Sequence, residues 1–157
     1  MDKLDSLNQV AEFHRTFKHP IETNPIIPAP ERCQLRVALL AEELKELEEA
    51  INEGDIVGVA DALCDLQYVL SGAVLEFGLG EKFRVLFDEV QRSNMSKTCK
   101  TLAEAEATAK YYLEKDGTES YIRQEGGLYL VYRQSDHKTL KSIYYSPADL
   151  KSILSEK

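Results

Sequence analysis

Cysteine is scarce and basic charge is short in this chain of 157 residues. The three cysteines, Cys33, Cys64 and Cys99, are odd in number and form no CxxC pair. That pattern argues against a disulfide framework and points to reduced thiols in a cytoplasmic protein. Lys and Arg number 19 against 27 Asp and Glu, a formal net charge of −8. A general nucleic-acid binder shows a basic footprint, and this chain has none. Long apolar runs are also missing. The longest, Ala60 to Phe77, is interrupted by Asp61, Asp65, Gln67 and Glu76, so no plain membrane span is expected. The start, Met1-Asp-Lys-Leu-Asp, lacks the basic-then-apolar pattern of a signal peptide. No repeat or low-complexity tract is present. What remains is an ordinary globular composition, 43% apolar and 29% charged, sized for one domain or one domain with an appendage.

The charge is uneven along the chain. Residues 1–91 carry 8 basic and 18 acidic side chains, and residues 92–141 carry 9 and 7. An acidic front and a mildly basic back fit two solvated surfaces, or a cation site and an anion site.

Hydrophobic spacing predicts a mainly α protein. A first helix covers Asp5 to Lys18. Residues 20–30, PIETNPIIPAP, hold four of the five prolines and form an extended connector. A second helix runs from Pro30 or Glu31 to about Asn52, with an apolar stripe of Val37, Leu40, Ala41, Leu44, Leu47 and Ile51. Gly54 ends it and Asp55 can cap the third helix, Ile56 to Phe77. That helix is apolar on nearly all sides, which predicts burial. The short link at Gly54 makes the two helices antiparallel neighbours. A fourth helix spans about Glu81 to Lys97. Thr101 to Lys115 is a further helix with a Thr101/Glu104 capping box. Glu119–Gln124 and Leu128–Arg133 flank Gly126-Gly127 as a hairpin. A short terminal helix follows Pro147. The domain expectation is a helical catalytic core at 1–97, an inserted helix and hairpin at 98–133, and a tail at 134–157 that packs back on the active site.

Carboxylates carry the chemical signal. Glu42, Glu43 and Glu46 neighbour each other at helical spacing on the second helix, which taken alone fits a solvated acidic face. Asp61 and Asp65 sit one turn apart on the apolar third helix. Burying two like charges is costly unless something compensates, and Ile56 to Phe77 holds no Lys or Arg. Glu46 and Glu43 lie 8 and 11 residues from Gly54, and Asp61 and Asp65 lie 7 and 11. At an equal rise per residue the two pairs reach nearly the same height. An all-oxygen set of this kind suits Mg²⁺ or Mn²⁺ rather than Zn²⁺. A hydrated acidic groove without metal is the other reading. Arg92, Lys97, Arg133, Lys138 and Lys141 are candidates to meet a phosphate, although spacing alone makes Lys138 and Lys141 plain surface lysines. His14, His19 and His137 read as structural or surface groups, and Cys64 as a packing residue.

Several blocks resemble one family. Glu42-Glu43-x-x-Glu46 followed by an acidic pair is similar to the MazG-like, all-α nucleoside triphosphate pyrophosphohydrolases. The blocks are Val10-Ala-Glu-Phe-His-x-x-Phe17, Asp61-Ala-Leu-Cys-Asp-Leu-Gln-Tyr68, Gly72-x-x-x-Glu-Phe-Gly78, Phe87-x-Glu-Val-x-Arg-Ser-Asn-Met-Ser-Lys97, Lys138-x-Leu-Lys141 and Tyr145-x-Pro-x-Asp-Leu150. Together they resemble its phosphoribosyl-ATP pyrophosphohydrolase-like subgroup. The broader family has E-x-x-D on the third helix, where this chain has Ala62; Asp61 stands in, as in the subgroup. The subgroup's tail often reads Asp-Gly-Lys, and here it is Asp136-His137-Lys138. The resemblance implies an all-α NTP pyrophosphatase bundle with a C-terminal helix and β-hairpin appendage, assembled as a homodimer or homotetramer. It implies Mg²⁺, with Mn²⁺ as a substitute, on Glu43, Glu46, Asp61 and Asp65. Glu42 or Glu46 would handle the attacking water, and Asn94, Lys97, Lys138, Lys141 and Tyr145 would contact phosphate or sugar. The implied reaction cleaves a nucleoside triphosphate, or a related nucleotide, between the α- and β-phosphates. No nucleic-acid polymer and no membrane are expected as partners. The alternative is a non-catalytic nucleotide- or metal-binding or assembly module on the same scaffold.

Overall fold

The computed structural model describes residues 4–155. They form six α-helices and one hairpin: α1 (Ser6–Phe17), α2 (Pro30–Glu53), α3 (Ile56–Glu76), α4 (Phe83–Met95), α5 (Leu102–Asp116), β1 (Ser120–Glu125), β2 (Leu128–Arg133) and α6 (Leu150–Ser155). A 3₁₀ turn at Gly80–Lys82 precedes α4. The mainly α expectation with a C-terminal hairpin holds. The chain divides into two compact units, Met1–Phe83 and Arg84–Lys157. The sequence placed the fourth helix with the first three. In the structure, α4 groups with the C-terminal half.

In the first unit the local signals work as read. Pro30 stands at the start of α2, where a missing N–H is harmless. Gly54 closes α2, and the Asp55 carboxylate accepts from the Val57 N–H at 2.9 Å. α2 and α3 then run back to back, with α1 laid on α3. The connector is extended and tied to the end of α3: Glu22 N–H donates to the Leu75 carbonyl and Ile26 N–H to the Phe77 carbonyl. Gly78 is required here. A Cβ on it would lie 1.8 Å from the Asn24 carbonyl oxygen.

The burial of α3 differs from expectation. Only Ala62 and the stretch Ser71–Glu76 contain its buried residues, at positions 71, 72 and 74–76. Its N-terminal half is open, with Ile56 75% and Val57 74% exposed. The α2 stripe is open as well, at Val37, Leu44 and Ile51. Two neighbouring helices cannot cover all sides of a 21-residue apolar helix, so apolar surface is left uncovered. Cys64 is accordingly exposed rather than packed. By length and composition alone, α3 is also long and apolar enough to cross a membrane. Asp61 and Asp65 in its middle would be expensive in hydrocarbon.

The core of the first unit is Val10, Ala11 and Leu75, with Leu7 and Ile21 against them. Beside it sits a buried polar cluster. Glu76 is 1% exposed and receives Arg32 and Arg36 from α2. Burial pushes the Glu76 carboxyl up, but the hydrogen bonds and charges of the two arginines outweigh it and hold it below the ordinary range. Arg36 also reaches His14 Nε2 at 3.3 Å, while His14 Nδ1 lies 2.8 Å from the Pro20 carbonyl. The Nδ1–H tautomer satisfies both contacts. Gly72 makes the room, since its Cβ would stand 2.7 Å from Arg36 Nη1.

The second unit has its own core of Cys99, Ala105, Val131 and Leu140. The hairpin pairs Ser120 with Arg133 through Glu125 with Leu128. Cys99 and Tyr129 exchange backbone hydrogen bonds at 2.8 Å on the other edge of β2, and Leu140 N–H donates to Val131. Thr101 caps α5 by accepting from Glu104 N–H at 3.2 Å, and the Glu104 carboxylate accepts from Lys100 N–H.

Candidate functional site

The acidic residues lie on the two helices that pack against each other, α2 and α3. Glu43 is half-buried on α2, with Glu42 and Glu46 exposed beside it; Asp61 and Asp65 are exposed on α3. Burial raises the Glu43 pKa first. The negative charges of Asp65, Glu46, Glu42 and Asp61 then raise it further. Glu43 therefore sits in a field made by all four other carboxylates, from both helices. The expectation of a shared height across the Gly54 turn rested on an equal rise per residue in the two helices.

Two parts of the sequence argument change. Asp61 and Asp65 are solvated, so no desolvation penalty singles them out. The buried, uncompensated-looking acid on this helix is Glu76, and α2 supplies its partners. The second change concerns spacing. Among the described residues, no three His, Cys, Asp or Glu side chains stand close enough to hold a metal ion. The donor set still fits a hard divalent cation in kind. It is all carboxylate, carries like charges that a cation would relieve, and is open enough for a Mg²⁺ ion that keeps several of its waters.

The basic candidates lie in the second unit, and four of the five proposed substrate contacts form one cluster. Lys97 Nζ donates to Asn94 Oδ1 at 2.7 Å. Lys141 Nζ sits over the Tyr145 ring, 4.2 Å from its centroid. The buried Ser93 hydroxyl donates to the Tyr145 phenol oxygen at 3.1 Å. That hydrogen bond is the largest influence on Tyr145. With the positive charges of Lys141 and Lys97 it outweighs desolvation and holds the phenol below its ordinary pKa. Lys138 takes no part in these contacts. Its backbone carbonyl accepts from Arg133 N–H and its side chain is exposed.

The tail that carries Lys141 and Tyr145 is tied down by its backbone, while the Lys138 and Lys141 side chains are exposed, as the plain-surface reading has them. Arg92 Nη2 donates to the Pro147 carbonyl at 2.9 Å, and Ser146 N–H donates to Ser96 Oγ at 2.9 Å. Asp149 N–H donates to the Glu89 carboxylate at 2.8 Å. Ser142 Oγ donates to Glu104 at 2.6 Å, and the Ile143 N–H donates to Thr108 Oγ1. Arg92 is thus engaged with Glu89 and the tail, and Arg133 with Asp136. His137 adopts φ +57°, the left-handed conformation that favours glycine. Ser93 was not singled out from the sequence. A serine inside a helix carries no spacing signal, and only the fold shows what faces it.

Comparison with known proteins supplies the context for this geometry. Residues 10–94, more than half of the chain, match the family model of phosphoribosyl-ATP pyrophosphohydrolase. The chain belongs to the phosphoribosyl-ATP pyrophosphohydrolase family. The match contains all five carboxylates and Asn94, and stops short of Lys97, Lys138, Lys141 and Tyr145. Family membership supports a hydrolase function of the nucleotide pyrophosphohydrolase type. The chain is also similar to uncharacterized protein L479 of Acanthamoeba polyphaga mimivirus. The two are 24% identical over 243 aligned positions, covering 98% of this chain and 97% of the viral protein.

Proposed function

We propose that the protein is a Mg²⁺-dependent nucleoside triphosphate pyrophosphohydrolase that releases a nucleoside monophosphate and pyrophosphate. The observation that carries this reading is the match of residues 10–94 to the family model, a segment that holds Glu42, Glu43, Glu46, Asp61 and Asp65. Glu43, Glu46, Asp61 and Asp65 would hold the ion. Bound there, Mg²⁺ supplies charge neutralisation of the phosphates and acidifies water. Exposed Glu42 or Glu46 takes the proton of the attacking water, acting as general base. The water oxygen bonds to phosphorus, the bridging P–O bond between the α- and β-phosphates breaks, and pyrophosphate leaves with the electron pair. Within the second unit, Lys97, Lys141 and Tyr145 are the proposed phosphate or sugar contacts by family resemblance, and Asn94 holds the Lys97 ammonium in place. Lys138 belongs to the same proposed set by family resemblance.

The open apolar faces of α2 and α3 support a homodimer or homotetramer that covers Val37, Leu44, Ile51, Ile56, Val57 and Leu63. Light scattering after size exclusion tests the assembly, and a monomer at all concentrations would refute it. A second reading is a non-catalytic module that binds nucleotide or metal without turnover, since among the described residues no three of these side chains stand close enough to hold an ion.

The deciding experiment incubates the protein with a panel of ribo- and deoxyribonucleoside triphosphates and Mg²⁺ and resolves the products. Monophosphate and pyrophosphate are expected, with loss of turnover in Asp65→Ala. Orthophosphate and nucleoside diphosphate would refute the bond assignment. Nucleotide-induced stabilisation with no product would establish the second reading. An Asp65→Ala variant as fast as the parent would refute the site.

A further inference from the structure

Ser93 lies outside the set of residues assigned to substrate or metal, yet it is buried and its hydroxyl meets the proposed anion-binding cluster. Its Oγ donates to the Tyr145 phenol oxygen at 3.1 Å. A phenol has one proton and accepts through its oxygen. With that oxygen taken up by Ser93, the proton of Tyr145 is left to donate elsewhere. The Lys141 ammonium over the ring at 4.2 Å and the charge of Lys97 draw electron density from the phenol, which makes it a stronger donor. The groups that act on Tyr145 are Ser93 and Arg92 from α4, Lys97 just beyond α4, and Lys141 from the tail. All are neutral or cationic, as suits an anionic ligand.

Ser93 is also held in place. It is 4% exposed, and its carbonyl accepts from Ser96 Oγ at 2.7 Å. Ser96 in turn receives the Ser146 N–H, one residue past Tyr145. The α4 backbone thus fixes both the hydroxyl that meets the phenol and the peptide that follows it.

We infer that Ser93 is a positioning residue: it orients the Tyr145 phenol so that its O–H donates to an oxygen of a polyphosphate held beside Lys97 and Lys141. The inference rests on the pyrophosphohydrolase reading for the identity of that anion and for Lys97, Lys141 and Tyr145 as its contacts.

The test uses the full chain and inorganic tripolyphosphate without metal, so that it stays separate from catalysis. Binding is measured by calorimetry from pH 7 to 10 for the parent, Ser93→Ala, Ser93→Thr, Tyr145→Phe and Ser93→Ala/Tyr145→Phe. Ser93→Ala is expected to weaken binding by roughly three- to tenfold, the size of one hydrogen bond. Ser93→Thr keeps the hydroxyl and is expected to restore most of it. The double variant is expected to be no weaker than Tyr145→Phe alone, because Ser93 acts through the phenol. Affinity falls at alkaline pH as the phenol ionises. That fall is expected at higher pH in Ser93→Ala, since a donor to the phenolate has been removed. Parent-like affinity and alkaline midpoint in Ser93→Ala, or additive losses in the double variant, would overturn the inference. So would failure of the parent to bind tripolyphosphate. A parent that binds tripolyphosphate with these dependences but hydrolyses no nucleotide would leave the inference standing and refute the catalytic reading instead.

Discussion

Replacing Gly72 with alanine sets two physical effects against each other. In a helix interior, alanine is better than glycine by about 1 kcal/mol, so propensity alone predicts a more stable protein. The structure predicts the opposite. The new Cβ would stand 2.7 Å from Arg36 Nη1 and 3.1 Å from His14 Nε2. The Arg36 side chain is 7% exposed and ends on Glu76, which is 1% exposed. It cannot swing to water without leaving that carboxylate. Stripping one partner from a buried ion pair costs about 3–5 kcal/mol. Arg32 stays on Glu76, which places the loss near the lower end. Subtracting the propensity gain leaves a net destabilisation of about 2 kcal/mol. Urea unfolding followed by circular dichroism measures it, with hydrogen exchange in α2 and α3 assigning the loss to the first unit. In an Arg36→Ala background only the 3.1 Å approach to His14 Nε2 remains, and Gly72→Ala is expected to recover much of the propensity gain of about 1 kcal/mol. A Gly72→Ala protein as stable as the parent, or more so, would refute this account of why the position is glycine.

Three more outcomes follow from the charges. Glu43 has a folded-state pKa above its ordinary value. Its contribution to stability is therefore full below the ordinary carboxylate range and lost as pH rises through the raised value. Glu43→Gln is expected to stabilise the metal-free protein at pH 7 and to abolish any rise in melting temperature on adding Mg²⁺; an undiminished Mg²⁺ response would contradict the proposed ligand set. His14 runs the other way. Burial lowers its pKa, against the raising effect of the hydrogen bond it donates to the Pro20 carbonyl, so stability is expected to fall as pH drops below about 6.5, and unfolding midpoints at pH 7 and 5 check it. Glu89 is held at about 2 by Arg92 and the Asp149 N–H. Its support for the tail is present above the ordinary value near 4.3 and lost as pH falls from about 4 towards 2, and Glu89→Gln is expected to remove that acid sensitivity in hydrogen exchange of residues 146–150.

The helices and turns were readable in the sequence because their causes are local. Asp55 and Thr101 cap the helices that follow them, Pro30 opens α2, Gly54 closes it, and Gly126-Gly127 turns the hairpin. The packing of α2 against α3 was readable too, since a short link at Gly54 makes them neighbours. Burial was not. It depends on how many neighbours a helix acquires, and α3 acquires too few within its unit to cover its N-terminal half. The argument that an acid on an apolar helix needs distant basic partners was sound, but it applied to Glu76, with Arg32 and Arg36 answering it, and not to Asp61 and Asp65. The gathering of Asn94, Lys97, Lys141 and Tyr145, and the part of Ser93 in it, lay equally beyond the sequence. Those residues are up to 52 positions apart, and only the docking of the tail on α4 brings them to one place.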